Sequence, residues 1–273
     1  MKIASYNILS GGFNSYSYDS SSPERLSMLK TAIKEINADF IGLIDTFRWD
    51  KLYNNDQLAG MFSYKKAYCI NLNDNRLKKK GHNNGITVLT NLPVLKFDTI
   101  TIQTRDAIKT TLKINESEMD IFTVYFDDLS EDTRRSQAQA LLTYITLNRP
   151  TVVMGDYNTM DIEDIPKANP LIDALGKENP QLFENLLPVL NEMKRGEVIK
   201  TLRKYGLKDA DMNREPTVPT SLFPAKVNKA ILRIDYAFHT DNIDVQNFSV
   251  LKDSLFDQTS DHYPIVFDVK INN

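Results

Sequence analysis

The sequence predicts an α/β fold, and three observations predict it. Short continuous apolar runs, such as Phe40-Ile41-Gly42-Leu43-Ile44 and Thr151-Val152-Val153-Met154, read as buried strands. Two amphipathic helical patterns each stand between two such runs, the order that makes neighbouring strands parallel. With 273 residues, 41% hydrophobic and 25% charged, the chain has the composition of an ordinary soluble protein and is long enough for a sizeable core.

Lys2 to Leu9 reads as the first strand, broken by Gly11-Gly12. Ser21-Ser22-Pro23-Glu24 is a helix start, with a hydroxyl cap, proline in the first turn and an acid beside it. Leu26, Leu29, Ile33 and Ile36 continue that helix to about Asn37, and Phe40 to Ile44 is the strand after it, ending on Asp45. Asp50 to Phe62 is expected as one short helix, Lys66 to Ile70 as a strand, and Asn71 to Gly85 as a polar loop carrying Arg76, Lys78, Lys79 and Lys80. Gly85 to Thr90, Val94 to Ile102, Ala107 to Ile114 and Met119 to Phe126 follow as strands. A helix over Arg134 to Leu147, with Ala138, Leu141, Leu142 and Ile145 inward, leads to the strand at Thr151.

The chain is expected to be a single domain, 1–273, with a loop- and helix-rich excursion at about 161–228. That excursion is rich in proline and holds one expected helix, Val189 to Tyr205. Ile231 to Phe238, Val245 to Leu251 and Tyr263 to Ile271 are the closing strands.

A net charge of −3 excludes a polycation that binds nucleic acid or anionic membrane through its overall charge. A single cysteine, Cys69, rules out an internal disulfide and suits a reducing compartment. The polar start of the chain and the lack of a long apolar run point to a cytoplasmic protein without a membrane span, and no obligate protein partner is evident. Three histidines and one cysteine do not easily build a zinc site, so any metal would be held mainly by oxygen, which suits Mg²⁺ or Mn²⁺.

The polar residues at or just after the apolar strands are Asn7, Asp45, Tyr125, Asp156 with Asn158, Asp235, and Asp261-His262. Parallel strands bring several of these ends to one edge of the fold. Taken alone, Asp156 and Asn158 read as a turn closing a strand. As a set, the carboxylates lack nearby cations, a costly arrangement unless a divalent metal sits among them.

Ala4-Ser5-Tyr6-Asn7-Ile8-Leu9, Gly155-Asp156-Tyr157-Asn158, Arg233-Ile234-Asp235-Tyr236-Ala237-Phe238 and Ser260-Asp261-His262-Tyr263-Pro264-Ile265 resemble, in order and spacing, the motifs of the endonuclease/exonuclease/phosphatase superfamily. The resemblance runs from residue 2 to about 269. It implies a four-layered α/β sandwich, two mixed β-sheets packed face to face with helices outside, and hydrolysis of phosphoester bonds with Mg²⁺ or Mn²⁺. On matching positions, Asn7, Asp45 and Asp261 would hold the metal, Asp156 and Asn158 would place the attacking water, and His262 paired with Asp235 would contact the phosphoryl group.

Two positions depart from the family pattern. Asp45 stands where the family usually has glutamate, shorter by roughly 1.5 Å of reach. Thr123-Val124-Tyr125-Phe126 has tyrosine where many members carry histidine, which resembles the abasic-site endonuclease branch and implies that Tyr125 contacts phosphate.

The expected activity is a metal-dependent phosphodiesterase or nuclease, with Arg76, Lys78, Lys79 and Lys80 as phosphate contacts. A phosphomonoesterase or lipid-headgroup phosphodiesterase acting on a small phosphorylated molecule is the alternative, followed by a non-catalytic binding protein on the same scaffold. Charge is segregated. Residues 191–233 carry ten Lys/Arg against five acids, and residues 127–164 carry three arginines against eight acids.

Overall fold

A computed structural model of the chain describes residues 1–13, 25–82, 84–223 and 230–272. The helix start expected at Ser21 to Glu24 lies outside them. Strand β1 (Lys2–Asn7), helix α1 (Leu26–Ile36) and strand β2 (Phe40–Ile44) form the first strand–helix–strand unit. Leu29, Ala32, Ile33 and Ile36 make the buried stripe of α1. As expected, β1 and β2 are parallel, with Asn7 opposite Ile44.

The single helix expected over 50–62 is two, α2 (Trp49–Leu52) and α3 (Asn55–Met61). The break comes from Asn54, whose side chain accepts from the Gln57 amide while Gln57 accepts from the Asn54 amide. That reciprocal cap starts a new helix. After β3 (Lys66–Asn71), the expected polar loop contains a short helix, α4 (Asn75–Lys79), capped by Asp74. Strands β4 (Gly85–Thr90), β5 (Val94–Ile102), β6 (Arg105–Ile114) and β7 (Ser117–Tyr125) lie where the apolar patterns place them. Helix α5 (Glu131–Leu142) then joins β7 to β8 (Thr151–Asp156), the second parallel pair.

The excursion is more helical than its prolines suggest, comprising α6 (Ile165–Glu178), α7 (Pro180–Met193), α8 (Glu197–Tyr205) and the short strand β9 (Lys208–Asp209). Pro166 and Pro180 fall in first turns, where the missing N–H has no helical partner to lose. The helix expected over 189–205 is interrupted at Gly196, which has φ 63° and whose Cβ would lie 2.9 Å from the Met160 carbonyl oxygen. The chain closes with β10 (Asp235–His239), β11 (Ile243–Val250), α9 (Ser254–Thr259) and β12 (Ile265–Ile271).

The strands form two six-stranded mixed sheets, in the orders β11-β12-β1-β2-β4-β3 and β5-β6-β7-β8-β10-β9. Each sheet has its parallel pair, β1/β2 or β7/β8, at the centre. Ile41, Val88, Ile108, Ile121 and Met154 pack in one core between the sheets. The faces meet closely at Gly42, where a Cβ would come within 2.6 Å of the Thr123 Cγ2. A second core joins Phe122, Val153 and Phe238 to Ala138 and Leu141 of α5 and Leu202 of α8, so helices cover the outside of the sandwich. The fold is thus the expected four-layered α/β sandwich. Among the described residues no helix is long and apolar enough to cross a membrane.

Candidate active site

The carboxyl ends of the two central parallel pairs face one another across the sandwich, and the polar residues at those ends meet. Asn7 closes β1, and its Nδ2 donates to Asp156 Oδ2 of the other sheet at 2.9 Å. Asp156 closes β8 beside Tyr125, its register partner at the end of β7, and opposite Asp235 at the start of β10. The turn depends on Gly155: its φ is 151°, and a Cβ there would lie 1.9 Å from the Val124 carbonyl oxygen. Asp156 Oδ1 accepts from the Asn158 amide at 2.9 Å, and Asn158 sits at φ 49°, so the Asp/Asn turn is real and also delivers both side chains to the site. Tyr157 points away as expected, fully buried against Phe126 and Tyr236.

His262 lies in the turn before β12. Ser260 Oγ pins that turn by donating to the Asn7 carbonyl at 2.7 Å and accepting from the His262 amide at 3.3 Å. His262 Nδ1 is 2.8 Å from Asp235 Oδ2, and its Nε2 faces Asp156 Oδ2 at 3.9 Å, beyond hydrogen-bond length. Burial pulls the His262 pKa down. The charge and hydrogen bond of Asp235, helped by Asp156 and Asp261, outweigh burial and raise it to about 10. The ring is therefore an imidazolium at neutral pH, donating through Nδ1 to Asp235 and carrying a second N–H on Nε2. Burial, with Asp235 adding to it, raises Asp156 to about 7 against the opposing pull of His262, Asn158 and Asn7.

Asp45 follows β2 in a left-handed turn, φ 61°. Its carboxylate accepts from the Ser10 amide at 2.8 Å and from Asn84 Nδ2 at 2.6 Å. Among the described residues no Lys or Arg forms an ion pair with it. Burial is the main cause that lifts its pKa to about 6, and the nearby Asp261 charge lifts it further.

These features decide whether the site suits a divalent cation. Asp156, Asp235 and His262 bring one possible ligand atom each within 4.8 Å of one another. Within this trio Nδ1 of His262 is hydrogen-bonded to Asp235, while Nε2 stands 3.9 Å from Asp156. Asp45 is different: it is buried, has no ion pair among the described residues and has oxygen lone pairs left after two donors. The half-buried Asp261 lies near enough to act on it electrostatically, so oxygen donors, the type a hard divalent ion prefers, are present at this end of the site.

Tyr125 is half-buried under the Arg105 guanidinium, 5.0 Å from its ring centre. Burial, then the charges of Asp45 and Asp156, hold its phenol protonated, a donor near the acids. Arg105 and Asn84 were not singled out from the sequence. Arg105 is 1% exposed and fastens the end of β7 through the Phe126 carbonyl at 2.6 Å, Asp74 at 2.9 Å and Asp128 at 2.7 Å. The same acids take up Arg76, which pairs with Asp127 and Asp128. Lys78 bonds to Asn73, while Lys79 at the end of α4 and Lys80 just after it are exposed. The expected basic loop thus offers its lysines to solvent, but its arginine is committed to carboxylates.

The segregated charges also find each other. Arg203, Arg214 and Arg233 of the basic segment converge on Asp161 and its neighbours: Arg203–Asp161 at 2.5 Å, Arg214–Asp164 at 2.7 Å and Arg233–Asp164 at 2.9 Å. The first two pairs tie the excursion to itself, and Arg233–Asp164 ties it to the segment that enters β10.

Beside His262 the excursion walls a cavity of about 210 Å³. Ile172 of α6 and Leu186 and Leu190 of α7 form one side, and Val218, Phe223 and Leu232 the other, with Asn158, Asp261 and His262 as the polar lining.

The sequence matches the model of the Endonuclease/Exonuclease/phosphatase family over residues 4–262. No curated protein matches it. Among solved structures, an endonuclease/exonuclease/phosphatase from Beutenbergia cavernae is similar at TM-score 0.68 and 16% identity, covering 100% of this chain and 72% of that one. A 3′ phosphatase, NExo, from Neisseria bound to product DNA hairpin has TM-score 0.65 and 15% identity, covering 99% of both. A mannosyl-6-phosphatase from Bacteroides thetaiotaomicron has TM-score 0.61 and 17% identity, covering 99% of this chain and 100% of that one.

Proposed function

The chain belongs to the endonuclease/exonuclease/phosphatase family and is a phosphoester hydrolase, and from that premise we propose that it is a divalent-metal-dependent phosphodiesterase. The observation that carries the reading is the chain Asp235–His262···Asp156, closed by Asn7, at the meeting of the two sheets. Asp235 holds the ring so that His262 Nε2–H donates to a non-bridging phosphoryl oxygen. Asp156, with a pKa of about 7, accepts the proton of the attacking water near neutral pH. Asn158 orients that water, and the Tyr125 phenol donates to the phosphate. Bound by Asn7, Asp45 and Asp261, Mg²⁺ or Mn²⁺ would supply charge neutralisation at the phosphoryl and leaving oxygens.

The balance of charge favours a diester. Among the described residues Asp45, Asp156, Asp235 and Asp261 lie around the His262 imidazolium, with Arg25 acting on Asp45 as well, and Arg76 is held by Asp127 and Asp128. A diester monoanion meets less repulsion there than a monoester dianion. A monoesterase is the second reading, supported by the two phosphatases among the similar structures. DNA in one of them supports the narrower reading of a nucleic-acid substrate contacted by Lys78, Lys79 and Lys80. A cytoplasmic location goes with the single, half-buried Cys69.

The test is release of p-nitrophenol from bis(p-nitrophenyl) phosphate and from p-nitrophenyl phosphate, each with Mg²⁺, Mn²⁺ or chelator. Faster metal-dependent release from the diester is expected. Equal rates in chelator, or a preference for the monoester, would overturn the proposal. Oligonucleotide cleavage that weakens less steeply with salt after replacement of the three lysines by alanine would add the nuclease reading.

A further inference from the structure

We propose that the cavity beside His262 binds a hydrocarbon substituent of the substrate, so that the natural ester carries an alkyl or aryl group rather than a sugar or a nucleobase there; this rests on the phosphoesterase reading. The cavity borders the candidate site, since Asn158, Asp261 and His262 belong to its lining. A phosphoryl group held by His262 therefore directs one of its ester substituents toward Leu190 and Leu232. Among the described residues the rest of the wall is aliphatic or aromatic: Ile172 and Leu186 from the excursion helices, Val218 and Phe223 from the loop leading back to β10.

Size and polarity define the occupant. An apolar cavity of about 150 Å³ suffices for benzene, so about 210 Å³ takes a ring or a short chain. Sugar hydroxyls or the edge of a base would enter without hydrogen-bond partners on these walls and would lose their hydration. A hydrocarbon loses nothing of that kind and gains by leaving water. At ~30 Å³ per water-sized group, the space fills after about seven carbons.

The test uses n-alkylphosphonates from methyl to decyl, with phenylphosphonate as the aryl arm, on the wild-type protein supplied with Mn²⁺. Binding is read by calorimetry and, separately, as inhibition of diester hydrolysis. Affinity should rise about three- to fourfold per methylene, the factor for burying one CH₂, and level off at about seven carbons. A terminal hydroxyl on the hexyl compound should remove most of the gain. Leu190→Gln or Leu232→Gln should flatten the series, with circular dichroism confirming the fold. A flat series in the wild-type protein, or an unchanged slope in folded variants, overturns the proposal. A steep binding series without any hydrolysis would instead sink the phosphoesterase reading and leave the hydrocarbon site standing.

Discussion

Arg233→Met is the sharpest test of how the excursion is held. Arg233 is 2% exposed, donates to Asp164 and Asp209 at 2.9 Å each, and lies with its guanidinium 4.5 Å from the centre of the Tyr236 ring. Asp161 and Asp211 complete the surroundings at 3.6 and 3.7 Å. Methionine keeps much of the volume and removes the charge. Asp164 retains Arg214, but Asp209 is left with only Arg203 at 3.5 Å. Leaving a buried carboxylate without its main partner costs ~3–5 kcal/mol, and the remaining arginines put the value at the lower end, about 3 kcal/mol. Unfolding entropy of about 2.1 cal/mol/K per residue over 273 residues makes each kcal/mol worth about 2 °C. The expected fall in Tm is therefore roughly 6 °C by calorimetry. Lys208→Ala is the control, since the Lys208–Asp241 pair is 3.0 Å long but 61% and 74% exposed; no measurable change is expected there. An Arg233→Met protein within about 2 °C of wild type would refute the view that buried charge anchors these helices.

Four further outcomes are expected. His262→Ala and Asp156→Asn should each lower kcat/KM on the diester by ~10²–10⁴-fold; a variant within tenfold of wild type removes that residue from the chemistry. Because the buried Asp156 carboxyl is raised to about 7, Asp156→Asn should melt at or above the wild-type temperature at pH 8 while losing activity. In the metal-free protein, His262 should remain an imidazolium by ¹⁵N NMR until the pH nears 10, and Asp235→Asn should lower that value. A folded pKa above the ordinary 6.5 stabilises fully below 6.5, and this stabilisation is lost as the pH rises through about 10; titration of wild-type His262 near 6.5 would contradict it. Asn84→Ala should weaken Mn²⁺ binding by ~10–100-fold in calorimetry, because Asn84 orients Asp45, and unchanged affinity would show that it does not.

Much of this site is legible because strand ends write it into short stretches. An apolar run that stops on Asn7, Asp45, Tyr125 or Asp156 announces both the strand and the polar group at its tip, and the helices between runs announce parallel pairs. Asn84 escapes because it acts on Asp45 from 39 residues away and sits in a polar stretch. Arg105 escapes because an arginine opening a strand looks solvated, whereas this one is enclosed by Asp74, Asp128 and two carbonyls. The pairing of Arg214 and Arg233 with Asp164 joins segments 50 and 69 residues apart, and only the folded chain decides which acids those arginines meet. Pro170 and Pro188 mislead in the other direction: both lie inside helices, where packing of Ile172 and Leu190 overrides the local preference.

The hydrogen bond from Ser260 to the Asn7 carbonyl closes a loop of 253 residues, and that from Asn7 to Asp156 one of 149. Contacts so distant in sequence are the last to be rewarded as a chain organises. Neither sheet alone holds a complete set of groups, since Asn7 and Asp45 end strands of one and Tyr125, Asp156 and Asp235 belong to the other. If His262 acts as proposed, a nascent polypeptide should be inert toward phosphoesters until β12 has emerged. Recovery of turnover after dilution from denaturant accordingly times the docking of the two sheets, later than the return of helical and strand signal.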